Sequence, residues 1–172
     1  MKRLLFDVNV VLDVLLERAP FAEAARALWA AAERKHIEAL IPAHGATTVF
    51  YVAARARDVR FARRVTQDLL SVLDVAAVDG GVLRRAVTLQ AADFEDAVCL
   101  AAAEAAGCGM LVTRDPAGYP GAVLPVVDPR TALAVIFGPP TDGVEDRLAD
   151  GVGARAQRWR RPRSRTRKVK RR

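Results

Sequence analysis

Histidine, cysteine and the large polar aromatics are scarce in this chain: two histidines, two cysteines, two tryptophans and two tyrosines. Two cysteines are too few for a disulfide framework. Cys99 and Cys108 sit in or beside alanine-rich apolar sequence, where a thiol behaves as a small hydrophobe. That usage predicts a reducing, cytoplasmic setting. His36 and His44 have no partner at metal-ligand or triad spacing, so surface or capping roles are expected of them. There is no Ser-His-Asp or Cys-His arrangement and no glycine-rich phosphate loop. No stretch approaches the roughly 20 uninterrupted apolar residues of a membrane span. Asp7 closes the first apolar stretch after Leu4, Leu5 and Phe6, well short of a secretory signal.

What the chain does have is length and apolar content enough for one core: 172 residues, of which 52% are hydrophobic. Its net charge of +7 is unevenly divided. Residues 155–172 hold eleven of the 27 basic residues and no acid, which leaves sixteen basic against twenty acidic residues elsewhere, a formal charge of −4. The body is mildly acidic and the end strongly basic, so the pI of 10.2 describes the end alone.

The apolar pattern alternates between strand and helix. Arg3 to Phe6 reads as a short buried strand, followed by an apolar helix to about Glu17. Pro20 opens a second helix with Phe21, Ala24, Ala25, Leu28 and Ala32 at helical spacing. Trp29 on it belongs to the core or to a dimer surface. Strands are expected at 38–42, 73–78, 110–113 and 123–127, and further helices at about 44–56, 60–71, 80–88 and 129–137. Asp93-Phe94-Glu95-Asp96 begins another helix, with Phe94, Ala97, Val98, Ala101 and Ala105 as its buried stripe and Gly107 and Gly109 as its stop. Short apolar strands alternating with amphipathic helices predict a three-layer α/β fold, a mainly parallel sheet of about five strands flanked by helices. From Gly138 the chain turns to Gly, Pro and Asp. The expected organisation is a domain over 1–137, a linker over 138–154 and a disordered basic tail over 155–172.

In parallel α/β sheets, ligands bind outside the carboxyl ends of the strands. Asp7 directly follows the first strand, Asp115 follows the fourth, and Asp93 and Asp96 open the helix leading into it. Each has a bland reading as well. Asp7 and Asp93 suit helix N-caps, Asp96 is an acid in a first turn, and Asp115 before Pro116 suits a turn. Asp13, two turns into the first helix, reads as a solvated surface acid. Taken together, carboxylates gathered at one rim repel each other unless a cation joins them. Hard oxygen ligands of this kind suit Mg²⁺ or Mn²⁺. Such an ion polarises a phosphate and lowers the pKa of water, as phosphodiester hydrolysis requires.

These segments resemble the PIN-domain family. Phe6-Asp7-Val8-Asn9-Val10-Val11-Leu12-Asp13 is similar to the opening of PIN domains, where a strand ends in an aspartate followed two positions later by asparagine. Asp93-Phe94-Glu95-Asp96-Ala97 resembles their central acidic helix start, and Leu111-Val112-Thr113-Arg114-Asp115 the strand and Thr-x-Asp turn that complete the site. The likeness runs over about residues 1–135 and is greatest to VapC-type toxins with a Thr-Thr-x-x-Tyr helix. It implies a metal-dependent ribonuclease in which Asp7, Asp96 and Asp115 bind Mg²⁺ or Mn²⁺. Asn9 would orient Asp7, Thr113 would support the rim, and Asp93 would be an accessory acid. It also implies an RNA substrate, a homodimer and a cognate antitoxin. One departure stands out: Thr48 falls where PIN nucleases commonly carry a glutamate, and Gly118 where a further acid is often found.

The basic end adds a second element. Arg158, Trp159, Arg160, Arg161, Arg163, Arg165, Arg167 and Lys168 would bind phosphate backbones without sequence selectivity, with Trp159 stacking on a base. Two functions follow from different classes. One is a metal-dependent endoribonuclease, the toxin of a toxin–antitoxin pair. The other is a PIN fold that has lost catalysis and serves as an RNA-binding or interaction module.

Overall fold

The computed structural model describes residues 1–91, 93–138 and 158–159. The strands are β1 (Arg3–Phe6), β2 (Glu38–Pro42), β3 (Asp74–Ala76), β4 (Met110–Val112) and β5 (Val126–Val127). The helices are α1 (Val8–Leu16), α2 (Ala22–Glu33), α3 (Ala43–Ala56), α4 (Val59–Val72), α5 (Gly80–Val87), α6 (Phe94–Ala105) and α7 (Pro129–Phe137), with a 3₁₀ turn at Pro116–Gly118. The sheet runs β3-β2-β1-β4-β5 and every pairing is parallel. The expected fold is therefore the observed one. β5 is confined to its last two residues, and β3 is shorter at both ends than expected.

Strand alternation sends side chains to opposite faces, and each face has its own core. Leu4 and Phe6 of β1 pack with α1–α4, around Leu28, Trp29, Ile41 and Leu69. Leu5 points the other way, with Leu40 and Leu111, onto α5 and α6. The middle of α6, Ala97 to Ala103, is buried on every side. Burial is confined to this middle stretch, and both ends of the helix reach solvent. Phe94 is consequently exposed, as is Ala105, against the expectation that both belonged to the buried stripe. Cys99 and Cys108 are buried and unpaired, and burial pushes the Cys108 thiol up to about 11.

Two further expectations are corrected here. Asp13 is fully buried rather than a solvated surface acid. Trp159 is not a free tail aromatic: 4% exposed, it packs edge-on against Trp29 with ring centroids 4.8 Å apart. Its indole Nε1 donates to Asp68 Oδ2 at 3.1 Å, and Arg158 pairs with the same carboxylate at 3.4 Å. The physical reason is that an indole offers a large apolar body with one donor. The Trp29 face together with Asp68 satisfies both, so this ring is withdrawn from any base. Trp29 itself is core. Trp159→Ala is expected to cost about 2 kcal/mol, a fall of roughly 4–8 °C in melting temperature. Thermal unfolding followed by circular dichroism checks it. Otherwise the linker 138–154 and the tail, including Arg160, Arg161, Arg163, Arg165, Arg167 and Lys168, lie outside the described residues, Gly138 and Arg158 excepted.

Candidate active site

The strand order reverses direction at β1, which lies between β2 and β4. The carboxyl ends of β1 and β4 therefore meet at the switch point where α/β sheets bind ligands. Phe6 is registered with Val112, so Asp7 and Thr113 emerge side by side, and the Asp7 amide donates to the Val112 carbonyl at 2.9 Å.

Asp7 occupies the N-cap position of α1, yet its carboxylate makes no capping hydrogen bond. Asp58, Asp79, Asp93 and Asp128 show what a capping aspartate does here: each accepts from an amide in the first turn of its helix. The Asp7 carboxylate turns across the sheet instead. Its Oδ2 accepts from Asn9 Nδ2 at 2.5 Å, from the Thr113 hydroxyl at 2.7 Å and from the Tyr119 hydroxyl at 3.4 Å. Asn9 also donates to Thr113 Oγ1 at 2.9 Å, and its Oδ1 accepts the Arg114 amide at 3.0 Å. Thr113 Oγ1 in turn accepts the Asp115 amide at 3.2 Å. One asparagine on α1 thus ties the end of β1 to the turn after β4. Oδ1 of Asp7 accepts no hydrogen bond among the described residues and is left for another partner.

Asp115 likewise begins the 3₁₀ turn without capping it, and is exposed. Asp96 stands in the first turn of α6, half-buried, while Asp93 Oδ1 caps its amide at 2.8 Å. Burial pushes the Asp96 carboxyl up to about 6, and repulsion from Asp93, Asp7 and Asp115 adds to this against a hydrogen bond from Tyr119. An acid raised above its unfolded value of 3.8 is held more tightly protonated when folded. Its stabilising contribution is complete below that value and is lost as pH rises through about 6. In EDTA, Asp96→Asn is therefore expected to melt higher than the wild type at pH 7.5, by about 3 °C for a gain of ~1 kcal/mol at a partly exposed group. At pH 3.5 the two should coincide. Equal melting temperatures at both pH values would contradict the upward shift of Asp96.

Tyr119 was not singled out in the sequence. It is buried, and burial with the neighbouring Cys99, Asp7 and Asp96 pushes its hydroxyl far above the ordinary phenol range. It stays protonated and donates. A tyrosine this buried needs a polar partner, but nothing in Gly118-Tyr119-Pro120 says which. Thr48 does not join the cluster: its hydroxyl is turned back to the His44 carbonyl of its own helix at 3.2 Å. His44 Nε2 faces Glu95 Oε1 at 3.8 Å, and His36 rests against the Phe137 ring. Among the described residues, no three acidic, histidine or cysteine side chains are gathered closely enough to hold a metal ion as they stand. No helix among them is long and apolar enough to cross a membrane.

Such a switch-point site, with aspartates after the first and fourth strands and an acidic helix start, defines a PIN-type α/β domain. Residues 3–117 match the family model of the PIN domain, and the chain belongs to that family. It is similar in fold to VapBC2 from Rickettsia felis bound to a DNA fragment from their promoter (TM-score 0.55, 14% identity, covering 73% of this chain and 99% of that one). It is similar also to a toxin–antitoxin complex from Klebsiella pneumoniae (TM-score 0.53, 22% identity, 73% and 96% covered). A third likeness is to FitAB bound to the IR36 DNA fragment (TM-score 0.58, 18% identity, 73% and 94% covered). No curated protein matches the sequence.

Proposed function

We propose that this PIN-domain chain is a divalent-metal-dependent endoribonuclease and the toxin of a toxin–antitoxin pair. The observation that carries the reading is the Asp7 carboxylate. It forgoes the capping bond its position offers and is held by Asn9, Thr113 and Tyr119 toward Asp96. A scaffold gains nothing by gathering like charges at one rim. A site for a cation does.

Asp7, Asp96 and Asp115 would hold Mg²⁺ or Mn²⁺; burial first and then repulsion from the neighbouring acids lift Asp96, and such an ion would offset the repulsion. Such an ion would supply positive charge that polarises the phosphodiester and eases deprotonation of the attacking water. The protein's own residues position the acids. Asn9 and Thr113 fix one oxygen of Asp7, Thr113 orients the Asp115 turn through its amide, and the Tyr119 hydroxyl donates to Asp7 beside Asp96. No separate general base is assigned. Support for an antitoxin partner comes from the neighbours in fold, two of which are named as toxin–antitoxin complexes or VapBC pairs. RNA as substrate, a homodimer and a cytoplasmic location rest on the family resemblance and the basic end.

A second reading is favoured by a specific observation. Thr48 supplies no carboxylate, and the described acids are not gathered to ligating distance. In that reading the domain binds RNA or a partner without cleaving. Incubating a mixed RNA pool with the protein in Mn²⁺ or Mg²⁺ decides between them. Cleavage abolished by EDTA supports the nuclease. A folded protein that retains RNA binding but cleaves at no metal concentration supports the module.

A further inference from the structure

Beside the acidic centre lies a cluster of the opposite sign that the proposed chemistry does not use. Asp13 lies one turn beyond Asn9 on α1, about 6 Å along the helix. Its side chain is 0% exposed, and its Oδ1 accepts from Arg114 Nη1 at 3.0 Å, with Arg18 Nη1 at 3.8 Å. Oδ2 is buried with no hydrogen bond among the described residues. Burial pushes this carboxyl up, and the two arginines hold it down. One buried charge thus anchors two guanidinium groups that remain about a third exposed, at 34% and 39%. The Arg114 guanidinium also lies over the Phe21 ring, 5.1 Å from its centroid, and that ring is 40% exposed. Arg114 is the residue between Thr113 and Asp115, so the ledge is joined to the acidic rim through one residue of backbone.

We propose that Phe21, Arg18 and Arg114 form a substrate subsite for single-stranded RNA, with one base stacked on Phe21 and a backbone phosphate held by the arginines. The chemistry favours RNA over other occupants. An exposed aromatic face flanked by planar guanidinium groups is the arrangement that stacks unpaired bases and pairs phosphates. Two arginines against one carboxylate leave a surplus positive charge next to a site that otherwise repels a polyanion. A buried aspartate that holds Arg114 by a hydrogen bond, with Arg18 drawn close, lowers the entropy lost when they bind. Phe21 at such exposure gives little to the core. Glu17 and Glu23, next in sequence to this ledge, line a neighbouring hollow of about 280 Å³ together with Arg26. The proposal deepens the ribonuclease reading by naming where the strand next to the scissile phosphate lies.

The test is equilibrium binding of a fluorescein-labelled single-stranded RNA to the full chain in EDTA, where no metal-dependent cleavage occurs. Phe21→Ala is expected to weaken binding about tenfold, a loss that persists in 0.3 M salt because stacking is not screened. Arg18→Gln is expected to weaken it three- to tenfold and to lower the salt slope by roughly one. Phe21→Trp should restore affinity. Melting temperatures within about 2 °C of the wild type verify that the variants fold, and neither removes the main partner of Asp13. Affinities of both variants within twofold of the wild type overturn the subsite, as does a loss confined to acidic peptides with RNA affinity unchanged. The two readings fail separately. Phe21-dependent binding without cleavage in Mn²⁺ removes the nuclease and keeps the subsite, whereas cleavage whose KM is the same in both variants does the reverse.

Discussion

Asp7→Asn is expected to reduce metal-dependent RNA cleavage by about a thousandfold or more, with the fold intact. The substitution keeps the shape of the side chain but removes its charge. Oδ2 of Asp7 receives three donors, from Asn9, Thr113 and Tyr119, so an amide turned with its oxygen inward still satisfies them. What disappears is half of a charge pair with Asp96 and the unoccupied Oδ1. A cation that stabilises transition-state charge contributes several kcal/mol, and about 4 kcal/mol corresponds to a thousandfold in rate. Single-turnover cleavage of an RNA pool in Mn²⁺ reads the rate, and Mn²⁺ titration by calorimetry reads binding. A variant that cleaves within tenfold of the wild type would remove Asp7 from the centre. Retained Mn²⁺ affinity with lost cleavage would place the ion elsewhere.

The second large effect concerns stability. Arg114→Ala is expected to destabilise the protein by about 3 kcal/mol, since it leaves Asp13 buried with only the more distant Arg18. That is a fall of roughly 6–12 °C in melting temperature. The effect carries a pH signature. Without Arg114 the Asp13 carboxyl rises further above its unfolded value of 3.8, the direction burial already imposes. The protonated acid is tolerated, so the loss is small near pH 4 and grows as pH rises. Asp13→Asn in the Arg114→Ala background should recover much of it, because a neutral amide is far less costly to bury than a lone charge. Urea unfolding of the single and double variants at pH 4.5 and 8 measures each part. A loss independent of pH would mean that the arginine acts through its stack on Phe21 and not through its charge.

Much of this molecule was legible along the chain. Hydrophobic period and covalent adjacency put a strand before Asp7, a strand before Asp115 and a helix after Asp93, and none of these depends on distant contacts. The parallel sheet follows from the alternation of those elements, and the carboxyl rim of a parallel sheet is where ligands go. Hence the sequence alone directs the acids to one rim. The pattern erred at the ends of α6, because amphipathic spacing says which face is apolar and not how far the supporting layer extends. Phe94 keeps its period and is still exposed.

Other features belong to the tertiary structure alone. Whether Asp7 caps its helix or faces the centre is a choice between partners that are both present in the sequence. The packing of β1 against β4 decides it, by bringing Thr113 and Tyr119 within reach. Asp13 reads as one more polar position on an amphipathic helix until Arg114, 101 residues away, arrives to neutralise it. Trp159 reads as a tail aromatic until Trp29 and Asp68 offer it a face and an acceptor. Local sequence sets which residues are competent to be charged, apolar or helical. Which charge is buried, which donor finds which acceptor, and which aromatic is spent on the core depend on pairs far apart in the chain, and only the folded packing brings those together.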